Sequence, residues 1–245
     1  MRVLAGFKYV AENRFKTPYV LMVWRDFNRD LFGKFEDVFD PIPGVFFIPP
    51  DKRAYYEKFA MHHFKNTWIM MAQNIVGWHQ LVVNDMAKLE QEYYTKLYRP
   101  IKKIREEVLN YIKQNNICEA RSFHLRRTDL ETDGELGKVM TKDHIFEEAI
   151  KNTTGPVFIT TDNPKTREKF LSKFGKEKVL VYGIMPEEKA VGSFRYTDLV
   201  FSVTEAFIAS RSAKFMGTVG SSWSETIDAF HRECNFNNCC KKEII

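Results

Sequence analysis

The stretch VFITTDNPKTREKFLSKFG, residues 157–175, holds one complete strand–turn–helix unit and decides the fold class. Its first six residues form a short apolar run closed by polar ones, which predicts a buried strand. Asn163 and Pro164 then supply the N-cap and first-turn signals of a helix, and Gly175 is a helix stop signal. A buried strand that leads directly into a helix is typical of α/β folds with parallel sheets.

The same alternation continues on both sides of this unit. Upstream, CEARSFHLRR (118–127) predicts a strand and KDHIFEEAIKN (142–152) a helix. Downstream, strands and helices are predicted in turn at 178–183, 197–210, 213–218 and 221–234. The second half of the chain is therefore predicted to form a Rossmann-like parallel sheet covered by helices.

The first half shows the same elements less regularly. YVLMVW (19–24) and VFFIPP (45–50) predict two strands separated by a loop and a short helix. The charged stretch 84–115 has a helical pattern with a break at Pro100, so it could bridge two halves. We predict an N-terminal α/β domain at 1–115 and a C-terminal domain at 116–245.

Composition excludes several classes of protein. With 44% hydrophobic and 28% charged residues the chain is neither disordered nor fibrous, and its net charge of +5 comes without any nucleic-acid-binding pattern. Its apolar runs are too short to span a membrane, and its first residues lack the apolar core of a signal peptide. We expect a soluble, cytoplasmic protein with no nucleic-acid partner, whose four cysteines are reduced.

Polar clusters follow three of the predicted strands, at 124–129, 160–163 and 217–224. Because the carboxyl ends of parallel strands meet at one edge of a sheet, these clusters should lie together. Arginine offers a two-pronged donor to phosphate oxygens, and the Gly-Ser-Ser turn before a helix is a second anion site. Asp162 could accept from the N–H groups of guanine. A purine nucleoside diphosphate fits all three clusters.

Each cluster also has a purely structural interpretation. The Arg-Arg-x-Asp run at 126–129 could be a solvated ion pair. Asp162 could simply start a helix, and the Gly-Ser-Ser turn could simply cap one. Only the coincidence of three such clusters at three strand ends favours a ligand site.

Taken in order, HLRRTD (124–129), FITTDNP (158–164) and KFMGTVGSSWSETI (214–227) resemble three signature segments of one enzyme superfamily. It comprises α-1,6-fucosyltransferases, protein O-fucosyltransferases and bacterial nodulation fucosyltransferases. The resemblance is close over about 115–232 and looser over 1–48. It implies a GT-B fold of two Rossmann-like domains, with a glycan acceptor held by the N-terminal domain and GDP-fucose by the C-terminal one. It also implies transfer with inversion and without a metal or other cofactor.

The resemblance assigns donor-binding roles to six residues of the strand-end clusters: His124, Arg126, Thr161, Asp162, Ser221 and Ser222. Arg126 would contact the β-phosphate of the donor. His124 and Asp162 would meet the guanine, and Ser221, with Ser222 beside it, would hold the pyrophosphate.

Catalytic roles are implied for Arg126, for Arg127 and Asp129, which would support it, and for a general base. Some relatives place Lys directly after the motif Asp and Glu a few positions later, where this chain has Leu130 and Gly134. The base therefore stays open among three acidic neighbours: Glu131, Asp133 and Glu135. Relatives also carry a Gly-rich loop before the helix with which this chain starts. Without it, the chain could be truncated, could use another segment, or could bind the donor more weakly.

The segment 129–140 imitates a calcium loop, but Met140 occupies the position that needs a bidentate Glu. No Asp-x-Asp motif is present to hold a metal-bound diphosphate, so we expect no metal, with the arginines supplying the positive charge. Two alternatives remain open at this point. The donor could be another GDP-sugar, or the chain could be a non-catalytic nucleotide- or glycan-binding module.

Overall fold

The computed structural model describes residues 19–23, 33–48, 97–128, 141–189 and 196–237, with a few more among the first 55. Contacts divide the chain into two compact units. The first contains Met1–Asp26 and Phe39–Arg99, and the second contains Phe27–Val38 and Pro100–Ile245. We number the described strands and helices in chain order.

The first unit contains the parallel strands β1 (Val20–Val23) and β2 (Val45–Ile48), with Val20 opposite Val45. Both strands were predicted, and both are confirmed. Phe39 and Tyr98 are buried in this unit, with their ring centroids 5.2 Å apart. Parallel pairing of strands this far apart in sequence is the arrangement expected of an α/β fold.

The second unit contains a four-stranded parallel sheet in the order β5-β4-β3-β6. Its strands are β3 (Arg121–Leu125), β4 (Val157–Thr161), β5 (Val179–Leu180) and β6 (Lys214–Gly217). Its helices are α1 (Lys102–Asn115), α2 (Asp143–Lys151), α3 (Pro164–Phe174), α4 (Leu199–Ala209) and α5 (Ser222–Asn237). The predicted alternation of strands and helices is confirmed, with β5 shorter than expected.

The unit that opened the sequence analysis folds as its residues predict. The Asn163 side chain caps α3 by accepting from the Thr166 N–H at 3.1 Å, Pro164 occupies the first turn, and the helix ends at Gly175. Gly175 has φ +79°, a left-handed value that favours glycine. Strand β5 stops early, and the carbonyl of Val181 accepts from the Tyr111 hydroxyl at 2.9 Å outside the sheet.

The sheet is covered on both faces. On one face Phe123 of β3 and Ile159 of β4 pack with Phe146 of α2 and Phe170 of α3, all of them buried. On the other face α4 packs against β3 and β4, and the ring of Tyr111 from α1 lies 5.7 Å from that of Phe158. Each such fully buried side chain contributes roughly 1.5–3 kcal/mol of hydrophobic stabilisation.

Helix α1 belongs to the second unit, although the sequence placed it before a domain boundary at residue 115. It begins just after Pro100 and buries Ile104, Val108 and Ile112 at a spacing of four. This apolar stripe packs against α4 of the second unit, which is why the contacts divide the chain at Pro100. The assignment of 1–115 to an acceptor and of 116–245 to a nucleotide sugar stays a prediction.

Cys118 is disulfide-bonded, so the expectation of four reduced cysteines is wrong for this residue. Cys234, on α5, is a buried free thiol. Cysteine spacing along the chain could not reveal the pairing, because it depends on which residues meet in the folded protein.

Helix α4 is the most apolar helix of the described part, and most of its 11 residues are buried. A membrane span needs about 20 apolar residues. Within the ranges that the structure describes, no helix is long and apolar enough to cross a membrane.

Candidate functional site

The three polar clusters meet at the carboxyl edge of the four-stranded sheet. Strand β3 lies between β4 and β6, and His124 near its end is opposite Thr160 on one side and Gly217 on the other. Since all the strands are parallel, the segments that follow them leave the sheet at the same edge. The prediction that 124–129, 160–163 and 217–224 come together is confirmed for their described residues, by the contacts below.

Arg126 is held from both sides of this edge. Its Nη1 lies 2.8 Å from Oδ2 of Asp162, and its backbone N–H donates to Oγ1 of Thr218 at 3.0 Å. Its side chain retains 13% of its surface in contact with solvent. The guanidinium is therefore fixed in place while still reaching the surface of the edge.

Asp162 organises the turn that follows β3. Its carboxylate accepts from the backbone N–H of Arg127 at 2.8 Å and from that of Thr128 at 3.3 Å, in addition to the Arg126 ion pair. Thr161, one residue earlier, is buried and donates its hydroxyl to the carbonyl of Leu125 at 2.7 Å. These contacts tie β4 to β3. The roles of Asp162 in guanine recognition and of Thr161 in donor binding stay predictions.

The side chain of Arg127 is buried, unlike that of Arg126, which reaches the surface of the sheet edge. Its side chain is only 3% exposed, and both Nε and Nη2 donate to Oδ1 of Asp143, at 2.9 and 2.7 Å. Its guanidinium carbon lies 5.5 Å from the ring centroid of Phe146. Burial favours the neutral acid at Asp143, but hydrogen bonds from Lys169 and Arg127 outweigh it and lower the pKa of this carboxyl. Arg127 thus anchors the turn to α2, and its support of catalysis stays a prediction.

Neutral groups join β3 to β6. The Thr218 hydroxyl donates to the carbonyl of His124 at 2.9 Å, and the Thr218 N–H donates to Oγ of Ser224 at 3.0 Å. The same Ser224 oxygen lies 2.6 Å from Nδ1 of His124. Burial, with the charges of Arg126 and Arg127, lowers the pKa of His124 to about 3. The imidazole is therefore neutral at pH 7.

Ser221 and Ser222 begin α5 but differ in exposure. Ser221 is buried and its hydroxyl accepts from the Ser224 N–H at 3.2 Å, whereas Ser222 is exposed. Gly217 of β6 lets Ser224 of α5 come close to the strand, since a Cβ on residue 217 would lie 2.5 Å from that of Ser224. The start of a helix attracts anions, because its first N–H groups have no partner within the helix. Ser221 acts here as an N-cap, and the pyrophosphate roles of both serines stay predictions.

The remaining predicted site residues lie outside the described part of the chain. These are Asp129 and the candidates for the general base, Glu131, Asp133 and Glu135. Among the described residues no group of three or more His, Cys, Asp or Glu is gathered to hold a metal ion. That the protein needs no metal stays a prediction.

Two further charged residues near this edge, buried Glu205 and partly buried Arg167, were not predicted. Glu205 of α4 is buried, which raises its pKa well above the usual value; Arg167 opposes this rise and Asp162 adds to it. Arg167 donates through Nη2 to the carbonyl of Gly183, while its buried Nη1 has no hydrogen-bond partner in the described structure. A single acidic residue in the middle of the apolar stretch 199–209 was the signal in the sequence for Glu205.

The architecture is the α/β fold of the GT-B class, with parallel strands covered by helices. The same fold occurs in the NodZ α-1,6-fucosyltransferase co-crystallised with GDP, with a TM-score of 0.53 and 13% identity over 96% of this chain and 86% of that one. NodZ soaked with GDP-fucose gives a TM-score of 0.53 and 13% identity over 95% and 87%. Selenomethionine NodZ from Bradyrhizobium gives 0.53 and 13% over 96% and 86%. The predicted fold class is confirmed.

Comparison with protein-family models and with curated protein sequences finds no match. The likeness to known proteins therefore lies in the fold.

Proposed function

We propose that the protein is a glycosyltransferase that moves L-fucose from GDP-fucose to a hydroxyl group of a glycan. The observation that carries this proposal is the position of Arg126, a nearly buried cation fixed where the ends of β3, β4 and β6 meet. The fold adds support, because NodZ has it and has been crystallised with GDP and soaked with GDP-fucose.

Arg126 supplies the main chemical step in this proposal. As the bond between the sugar C1 and the β-phosphate oxygen breaks, negative charge develops on the departing GDP. A guanidinium keeps its charge at any physiological pH and binds two phosphate oxygens at once. Its ion pair with Asp162 holds it in position beforehand, so little reorganisation is needed during the reaction. No metal ion is needed if Arg126 and the start of α5 neutralise this charge.

Inversion follows from direct displacement. The acceptor hydroxyl attacks C1 from the face opposite the departing phosphate, and its proton passes to a carboxylate of the protein. Asp129 would support Arg126 in this step, and Glu131 is our first candidate for the base, with Asp133 and Glu135 as alternatives. We place the glycan acceptor with the N-terminal half of the chain.

The remaining contacts would hold the nucleotide. In the proposal His124 and Asp162 meet the guanine, with Thr161 beside them, and Ser221 and Ser222 hold the pyrophosphate at the start of α5. Since Nδ1 of His124 is paired with Ser224, Nε2 is the nitrogen that would meet the base, and in the neutral ring it can donate or accept according to the tautomer.

A donor and acceptor screen tests the proposal. The purified chain is incubated in EDTA with GDP-fucose and a panel of glycans, with GDP-mannose in parallel, and products are identified by mass spectrometry. Fucosylated product is expected, and only with GDP-fucose. Product from GDP-mannose alone would indicate another GDP-sugar as donor. GDP binding without any product would indicate a binding module, and no binding of GDP would overturn the proposal.

A further inference from the structure

We propose that Thr141 is a positioning residue that holds the loop after β6 in register with Arg126. The inference rests on the proposed function, because it concerns the same nucleotide site. Thr141 lies just before α2 and is 6% exposed. Neither its type nor its place in the sequence marks it as part of a site, since it follows no strand.

Thr141 connects the two segments that carry the anion-binding groups. Its hydroxyl oxygen accepts from the backbone N–H of Val219 at 2.9 Å, in the loop after β6. Its carbonyl accepts from Nη2 of Arg127 at 3.1 Å, in the segment after β3. Thr141 therefore connects the segment after β3 with the loop after β6, although it belongs to neither.

The Arg127 side of this connection is rigid. The guanidinium is held by Asp143, by the carbonyl of Arg126 at 2.7 Å and by the ring of Phe146. A buried cation with this many partners fixes the main chain at Thr141. The hydroxyl of Thr141 can then act as a fixed reference for the loop.

The loop around Val219, by contrast, has little packing of its own to hold it in place. The side chain of Val219 is 65% exposed, so it is not packed into a core that could hold the loop. Gly220, next along, has φ +78°, a region that glycine occupies without strain but can also leave. The N–H of Val219 is itself used by Thr141, so it fixes the loop and is not a donor to the ligand. Thr141 therefore acts on the nucleotide only through the position of the loop.

The test compares Thr141→Val, which removes the hydroxyl at nearly constant volume, with Thr141→Ser, which keeps it. Affinity for GDP is measured by titration calorimetry at a temperature where circular dichroism shows each variant folded. We expect Thr141→Val to bind GDP about tenfold more weakly, because the Val219 N–H loses the acceptor that holds the loop, and Thr141→Ser to stay within about threefold of the wild type. Amide exchange at 218–221 should be faster in the Val variant only. In turnover, KM for GDP-fucose should rise with kcat changed less than about threefold.

Thr153→Val is the matched control, since Thr153 follows the other end of α2 and donates its hydroxyl to the carbonyl of Ala149 at 2.7 Å. It should leave GDP affinity unchanged. If Thr141→Val fails to fold, Thr141→Ala is measured in its place. A wild type that binds GDP alongside a folded Val or Ala variant of equal affinity overturns this inference alone. A wild type that does not bind GDP overturns the proposed function and this inference with it.

Discussion

The two joints of the sheet edge are built from different chemistry. Strand β3 is joined to β4 by the ion pair of Arg126 with Asp162, which we call the charged joint. It is joined to β6 by the uncharged groups of Thr218, Ser224 and His124, which we call the uncharged joint. The charged joint can respond to a charged ligand, because a phosphate is attracted to the cation that Asp162 holds in position. The uncharged joint has no net charge to exchange, so it holds geometry whatever is bound. The comparison separates residues whose charge can interact with a ligand from residues that hold the strand ends in position.

The same division runs between two adjacent arginines. Arg126 keeps 13% of its side chain exposed at the edge, whereas Arg127 keeps 3% and is bonded to Asp143. The two side chains have different partners and different exposure, so neighbours in sequence need not share a task. We expect substitutions at the two positions to affect different quantities.

Substitution of Arg126 by Ala should have the largest effect. The departing GDP would lose its main charge partner, so kcat/KM for fucosyl transfer should fall by a factor on the order of 10³, while the fold is retained. The measurement is transfer from GDP-fucose, with thermal unfolding as the check on folding. Arg232→Ala, at an exposed position on α5, is the control and should keep full activity. Turnover unchanged in Arg126→Ala would remove the charged joint from the mechanism.

Substitution of Arg127 by Met should act on stability first. It leaves carbonyl groups without their donor, and Asp143 keeps only Lys169, so unfolding in urea should require about 3 kcal/mol less, near the low end for a broken buried pair. If the variant kept wild-type stability and yet no longer bound GDP, Arg127 would be a ligand contact like its neighbour, and the contrast between them would be lost.

Substitution of Gly217 by Ala tests the uncharged joint. The new Cβ would lie 2.5 Å from that of Ser224, so α5 must move away from β6, at a cost of roughly 1–3 kcal/mol. Urea unfolding measures this cost, and Ser222→Ala, exposed on the first turn of the same helix, is the comparison. A Gly217→Ala protein as stable as the wild type would show that β6 and α5 are not closely joined.

The pH dependence of stability gives the smallest effect. The pKa of His124 is about 3 in the folded protein, against an ordinary value of 6.5. Below pH 6.5, therefore, this imidazole binds a proton in the unfolded chain but stays neutral in the folded protein. Stability should therefore fall on acidification through this window, by about 1 kcal/mol per pH unit from this group. The measurement compares urea unfolding at pH 6.5 and pH 5 in the wild type and in His124→Gln. Glu205, with its raised pKa, acts with the opposite sign in both proteins, so it cancels in the comparison. An equal pH response in the two proteins would contradict the burial of a neutral imidazole.

Much of the fold could be predicted from the sequence because its signals are local. The cap at Asn163, the stop at Gly175 and the strands at 121–125 and 157–161 each follow from residues within a few positions of one another. The meeting of the strand ends was also predictable, since it follows from parallel topology.

The partners of the site side chains could not be predicted, because they come from distant positions. Nothing near Arg127 in sequence indicates that it will form an ion pair with Asp143. Likewise, nothing near Val219 indicates that its N–H will donate to Thr141. The disulfide of Cys118 and the burial of Glu205 depend in the same way on tertiary contacts. The parallel sheet and the meeting of its polar strand ends were thus predictable, and the roles of the individual polar residues were not.

Titration calorimetry of GDP against the wild type and Arg126→Ala, in EDTA, tests the central claim most directly. The account predicts saturable binding of GDP by the wild type, weaker by at least about tenfold in the variant, as expected for the loss of a charged hydrogen bond. Equal binding by the two proteins, or no binding by the wild type, would contradict a diphosphate site at the carboxyl edge of this sheet.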